Sequence, residues 1–215
     1  MKDVILIGGG GHALSLLEML DDYGVFIGYS DIKENPSMPL PYLGTDDEIL
    51  EKYSADDYRV HNAVVYTDKV NLDSRKACIQ KFLKYKTISF VASTAIVSPN
   101  AVIGDGVAVL HRCVINRAFI GAYSIINTGT VIEHDCVLGT NVFVASGCII
   151  CGGTSIGNNV FIGTGSVIRD GITIADDVII GMGSVVTKDL TKSGIYFGNP
   201  AKISLVQNEC VINKS

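Results

Sequence analysis

The chain has 215 residues, 47% of them hydrophobic and 18% charged, with a formal net charge of −5; that is enough apolar mass for one or two compact domains. The acidic balance and the lack of any basic run argue against nucleic acid or an anionic membrane as partner. No stretch reaches the roughly 18 apolar residues of a membrane span, and Cys78, Cys113, Cys136, Cys148, Cys151 and Cys210 sit singly in apolar patterns, so a reduced, cytoplasmic protein is expected.

The opening "MKDVILIGGGGHALSLLEML" has too short an apolar run for a signal peptide, and His12, Glu18, Asp21 and Asp22 follow it. It reads as strand, turn and helix, with "HALSLLEMLDDYG" ending on Gly24. "VFIGYS" is a second strand, "DDEILEKY" a short helix and "NAVVYT" a third strand. "DSRKACIQKFLKY" gives a further helix, with Asp73 as its N-cap. Residues 1–90 therefore form a small Rossmann-like β-α-β-α-β domain with a parallel sheet.

In "VILIGGGGHA", Gly8, Gly10 and Ala13 make a G-x-G-x-x-A turn between strand and helix. Backbone N–H groups and the helix N-terminus can there meet a pyrophosphate, and Asp31 follows the second strand. The pattern admits a dinucleotide oxidoreductase, but some 90 residues supply only half of such a sheet. A mononucleotide diphosphate fits better, and a turn without a ligand is the structural alternative.

From about residue 91 the period changes. Every sixth residue from Ile120 to Val186 is aliphatic, twelve positions in succession, and small or β-branched residues from Ala118 to Ser166 precede them by two. Val97, Ile103, Val109 and Ile115 keep the period one step out of phase, so one residue is dropped near Arg117. This is a hexapeptide repeat. Each unit makes one flat face of a three-sided prism, and Ile132, Ile150 and Ile168 stack 18 residues apart at its core. The β-helix spans 91–203 in about five coils; 204–215 is a tail with no assignment.

In "NTGTVIEHDCVLG", His134 stands where equivalent phases carry Ala122, Thr128, Thr140, Ser146, Gly152 and Asn158. It is either a surface histidine on a solvated turn or a general base held by a neighbouring carboxylate. Asp135 is the better orienter and Glu133 the alternate.

The "GGGGHA" turn, "INTGTVIEHDC", the repeats and the terminal "GNPAK" together resemble one family, over residues 2–203. It comprises the acyltransferases of bacterial surface-sugar biosynthesis: UDP-4-amino-sugar (bacillosamine-type) and perosamine N-acetyltransferases, and sialic acid O-acetyltransferases. The resemblance implies a left-handed helix, a homotrimer, a nucleotide-sugar substrate and acetyl-CoA as cosubstrate in the groove between neighbouring β-helices. It implies His134 as catalytic base, Asp135 as its acidic partner and Asn127 as an active-site asparagine. Gly10, Gly11 and His12 would hold the nucleotide sugar, with Asp31 and Lys33 on the uridine side. Gly152, Gly153, Gly163, Thr164, Gly181 and Gly183 would face pantetheine, and Lys202 of "GNPAK" would lie near the adenine. Phe143 stands where some members carry a second histidine at the thioester, and "YTD" replaces an expected glycine-bearing turn.

The implied reaction is direct attack of a sugar amine on the thioester, with His134 taking the proton and Asn127 or a backbone N–H steadying the oxyanion. Cys136, at an inward phase, is not needed as a nucleophile. O-acetylation of an acidic sugar and a non-catalytic scaffold are the alternatives. "CIIC" lacks two further zinc ligands, and a three-histidine metal site would need His111, His134 and His61 to converge, so no metal is expected. His111 is instead expected to line the sugar pocket.

Overall fold

The structure, a computed structural model, describes residues 3–20, 24–66 and 68–204; most of the expected tail thus lies outside the described residues. The N-terminal part is a parallel sheet of β1 (Val4–Ile7), β2 (Phe26–Ser30), β3 (Arg59–Asn62) and β4 (Lys86–Thr87), in the order β2-β1-β3-β4. All four residues of β1 are buried, as expected of a central strand covered on both faces. Helix α1 (Gly11–Glu18) turns Ala13, Leu16 and Leu17 inward. Helix α2 (Asp46–Lys52) starts on a capping box between Thr45 and Glu48.

Two expected elements shift. β3 shares only Asn62 with the expected "NAVVYT", because the Val4↔Arg59 to Ile7↔Asn62 register takes the residues before it, and Arg59 pairs with Asp3 beside β1 at 2.6 and 2.9 Å. Helix α3 (Lys69–Lys81) is capped by Asp68, whose carboxylate accepts the Asn71 N–H at 2.8 Å. Asp73, expected as the cap, is an exposed residue inside the helix. Starting at Asp68 adds a turn that carries the inward Leu72 and leads to the inward Arg75.

From Phe90 the chain winds into a left-handed parallel β-helix of mostly two-residue strands on three faces. Strands pair at 18-residue spacing, Ile132 with Ile150 and Ile150 with Ile168, and all three are fully buried. One corner is a residue short: Phe119 pairs with Val102 across 17 residues but with Val137 across 18. The dropped residue lies between Ile115 and Phe119, where Arg117 sits.

The first face, carrying Ala108, Ile125, Phe143 and Phe161 outward, is covered by the N-terminal domain; these side chains share one core with Leu6, Ala13, Leu16 and Phe26. A polar latch fixes the docking. Arg75, 1% exposed, donates to Asn141 Oδ1 at 2.7 Å and the Tyr123 carbonyl at 2.6 Å on the β-helix. It also donates to the carbonyl of Val64 and to Asn62 Oδ1 in its own domain. Tyr66 Oη adds bonds to the carbonyls of Asn141 and Val160 at 2.8 and 3.0 Å. Every partner of the guanidinium among the described residues is neutral, and burial lowers its pKa to about 10.

Candidate active site

A cleft of about 280 Å³ opens where α1 meets the corner after the first face, lined by Gly11, His12, Ser15, Val65, Leu110, Asn127, Thr128 and Phe143. The glycine turn shapes its floor. A methyl on Gly9 would stand 2.4 Å from the Tyr29 ring, so only hydrogen fits there, whereas Gly10 and Gly11 border open space. Gly10 caps α1 with no side-chain partner for the helix N–H groups, which leaves the first-turn donors for an incoming anion. Asp31 braces this turn: its carboxylate accepts Gly9 N–H at 2.7 Å and Ile32 N–H at 2.6 Å. Asn127 Oδ1 accepts the Thr128 N–H at 2.8 Å, so the side chain offers its amide N–H groups to the cleft. Burial first, then His61 and Arg75, lowers the His12 pKa to about 3, which keeps that ring neutral.

His134 lies on a different corner, beyond the third face. Its Nδ1 is 2.9 Å from Asp135 Oδ2, and Asp135 Oδ1 accepts from Arg117 Nη2 at 2.7 Å. A carboxylate only accepts, so in the neutral ring Nδ1 carries the proton and Nε2 holds the lone pair. The His134 bond first, then the Arg117 bond, holds the Asp135 carboxyl below its usual range. Asp135 reaches its neighbour from a left-handed backbone, φ 62°, which Asp tolerates. Glu133 turns away and accepts from Asn116 Nδ2 at 2.8 Å. The imidazole lies over the next coil: a methyl on Gly152 would sit 2.9 Å from its Cε1 and Nε2. Gly152 therefore seats the ring, and the ring itself is exposed.

The structure thus brings Gly11, His12, Asn127 and Phe143 to one cleft, and His134, Asp135 and Gly152 to one corner. Gly153 follows on that same corner, while Thr164, Gly181 and Gly183 stack on the Asn127 corner in later coils. Gly163, expected outward, is buried; a methyl there would meet Met182 N at 2.5 Å, so it serves tight coil stacking. Phe143 is likewise 6% exposed, stacked on Phe161 at 5.4 Å between ring centroids, and reaches the cleft as an apolar wall. Lys33 and Lys202 are exposed. His111 bonds Thr94 Oγ1 at 2.7 Å; its neighbour Leu110 lines the cleft in its place. Among the described residues no group of three or more His, Cys, Asp or Glu could hold a metal, and no helix is long and apolar enough to cross a membrane. Sequence reasoning missed Arg117 and the seating role of Gly152. The dropped residue marks the first, and adding 18 to His134 gives the second. Ser15, Val65 and Leu110 had no such signal, since domain docking creates their wall.

Comparison with known proteins agrees with this architecture. Residues 153–188 match the bacterial transferase hexapeptide family (six repeats), and residues 116–146 match the hexapeptide repeat of succinyl-transferase. The acetyltransferase domain of PglB from Neisseria gonorrhoeae FA1090, in complex with acetyl coenzyme A, is 28% identical over 94% of this chain and 99% of that one, with a TM-score of 0.84. A histidine-to-asparagine mutant of perosamine N-acetyltransferase from Caulobacter crescentus, in complex with CoA and GDP-perosamine, is 31% identical over 94% and 96%, with a TM-score of 0.80. WeeI from Acinetobacter baumannii AYE shares the fold at 24% identity over 94% and 99%, with a TM-score of 0.73. Likeness to a perosamine N-acetyltransferase over nearly the whole of both chains, together with the hexapeptide-repeat matches, makes this chain a member of the bacterial hexapeptide-repeat sugar N-acetyltransferase family.

Proposed function

We propose that this chain transfers the acetyl group of acetyl-CoA to the amino group of a nucleotide-linked amino-deoxysugar, of UDP-4-amino-sugar type, with His134 as general base. The observation that carries the reading is the Arg117–Asp135–His134 chain, which leaves one basic imidazole nitrogen on an exposed corner above a glycine. The amine nitrogen forms a bond to the thioester carbonyl carbon, the C–S bond breaks, and His134 Nε2 takes the amine proton and returns it to the departing thiolate. Asn127 and backbone N–H groups steady the oxyanion. The glycine turn and the α1 N-terminus hold the diphosphate, with His12, Asp31 and Lys33 toward the nucleotide sugar. The complexes of the relatives with acetyl coenzyme A, and with CoA and GDP-perosamine, support this choice of substrates.

The cleft and His134 lie on corners at opposite edges of the third face, so a second copy completes the site. That face points Ile96, Val114, Val131, Ile149, Val167 and Val185 outward, with Ile96 68% and Ile149 43% exposed. An apolar strip of this kind calls for a partner surface. A homotrimer that buries it would set the His134, Gly152 and Gly153 corner of one copy against the Asn127, Thr164, Gly181 and Gly183 corner of the next, with acetyl-CoA between them and Lys202 near its adenine end. The five described cysteines are free thiols, in keeping with a cytoplasmic enzyme. Thiol release from acetyl-CoA tests the reaction against UDP-4-amino-sugar, GDP-perosamine, dTDP-amino-sugar and free sialic acid. The UDP-4-amino-sugar is expected to be the best acceptor. Turnover of sialic acid alone would make the enzyme an O-acetyltransferase.

A further inference from the structure

The repeat is one residue short at the corner that precedes His134 by one coil, and the register shows which residue is absent. In the later coils this corner turns inward again at Cys136, Thr154 and Ile172, all buried. The residue just before each of these is left-handed: Asp135 at φ 62°, Gly153 at 69° and Gly171 at 65°. Asp135 N–H donates to the Arg117 carbonyl at 2.9 Å, as Gly153 N–H does to that of His134 at 2.9 Å and Gly171 N–H to that of Gly152 at 3.0 Å. Arg117 therefore holds the place of His134 in its own coil. Ala118 turns inward directly after it, and the left-handed counterpart of Asp135 is missing.

On the Asn141 corner left-handed residues of successive coils stack directly, Asn141 Nδ2 donating to Asn159 Oδ1 at 3.0 Å. Asp135 has no such neighbour in the preceding coil; what meets its carboxylate from there is Arg117 Nη2, 2.7 Å from Oδ1. The second oxygen, Oδ2, is left for His134 Nδ1 at 2.9 Å. Asn116, the other residue of the short corner, donates to Glu133 Oε2 at 2.8 Å and draws that carboxylate off. Asp135 alone is left to orient the ring.

We propose that the one-residue shortening serves the reaction rather than the fold: leaving out the residue that would cover Asp135 admits the Arg117 guanidinium, which makes Arg117 a positioning residue that holds Asp135 in the rotamer orienting His134. The inference rests on the proposed role of His134 as base. Arg117 touches no reacting atom and acts through Asp135. The side chains of the pair are 61% and 54% exposed, and exposed ion pairs contribute little to stability. A held rotamer counts for more beside a reacting centre, where small misplacements are costly in rate.

Inserting one glycine between Arg117 and Ala118 tests this, because it restores both the left-handed residue and an 18-residue spacing from Val102 to Phe119. Thiol release from acetyl-CoA should show kcat lowered about tenfold, the worth of one charge-assisted hydrogen bond, with KM for acetyl-CoA and the unfolding temperature unchanged. Arg117→Met should lose as much, and Arg117→Lys, which keeps a cation within reach, should recover most of the rate. Long-range ¹H–¹⁵N spectra of the full chain labelled in histidine nitrogen read the same point without substrate. His134 is expected as the Nδ1–H tautomer in the wild type and as a tautomer mixture in the insertion and Arg117→Met variants. A folded insertion variant with wild-type kcat would overturn the proposal, and so would native His134 signals in Arg117→Met. A loss of kcat matched by an equal loss of folded protein would overturn it too, making Arg117 structural. If the insertion variant does not fold, Arg117→Met and its spectrum decide. If the wild type turns over no acceptor, the proposed reaction fails while the spectra still judge the positioning.

Discussion

Gly152→Ala isolates the seating of His134 from the stability of the fold. The added methyl would stand 2.9 Å from Cε1 and Nε2 of the imidazole and 3.3 Å from Nδ1. Carbon contacts relax at about 3.5–4.0 Å, so the ring has to move by roughly 0.6–1 Å. It can do so cheaply because it is exposed, and Gly152 is not in the left-handed backbone region. Stability should therefore change by less than about 0.5 kcal/mol. The displaced ring, however, loses its 2.9 Å bond to Asp135. A misplacement of about 1 Å costs on the order of 10²-fold in rate, or about 2.7 kcal/mol of barrier. Steady-state thiol release from acetyl-CoA measures the rate, and thermal unfolding the stability. Gly171→Ala is the matched control: its φ is +65° and its methyl would meet nothing within 4 Å. That variant should lose about 1 kcal/mol of stability through backbone strain and keep its kcat. A Gly152→Ala enzyme with wild-type kcat would refute the seating argument.

Replacing the proposed base, His134→Ala, should lower kcat by about 10²–10⁴-fold with little effect on KM for either substrate; an equal fall in folded protein would assign it a structural role instead. Arg75→Lys keeps the charge but cannot reach Asn141, Asn62 and Tyr123 together, so it should destabilise by about 2–4 kcal/mol and split calorimetric unfolding into two steps; a single unshifted transition would count against the latch. The folded-state pKa values of His12 and His61 lie below the 6.5 of an ordinary imidazole. The stability they confer is thus full above about pH 6.5 and is lost as pH falls toward 4, on the order of 3 kcal/mol for His61 alone. Denaturant unfolding between pH 7 and 4 measures it, and His61→Asn should flatten the slope.

The β-helix was readable from Ile120 to Val186 because stacked interior positions admit only aliphatic side chains at a six-residue spacing. The same spacing makes its one lapse informative: the missing residue brings Arg117 under Asp135. The phase of His134 likewise sets it apart from the small residues at equivalent positions of the repeat. Local signals misled where two residues competed for one role, as Asp68 and Asp73 did for the α3 cap. They were silent where docking decides. Phe143 and Phe161 look like ordinary outward positions until the N-terminal domain covers their face, and Arg75 reads as one more charged residue of an exposed helix until Tyr123 and Asn141 meet it. Gly163 shows the converse, a residue that looks like an open contact but is packed against the coil above.

In the proposed trimer the cleft of one copy works with His134 of its neighbour. Co-assembly of His134→Ala chains with Asn127→Ala chains tests it most directly, because each chain alone lacks one half of every site. A shared site predicts recovered acetyl transfer, up to about a quarter of the wild-type rate, since a mixed trimer regains one intact site of three. No recovery, with mixed trimers verified by mass, would contradict the account.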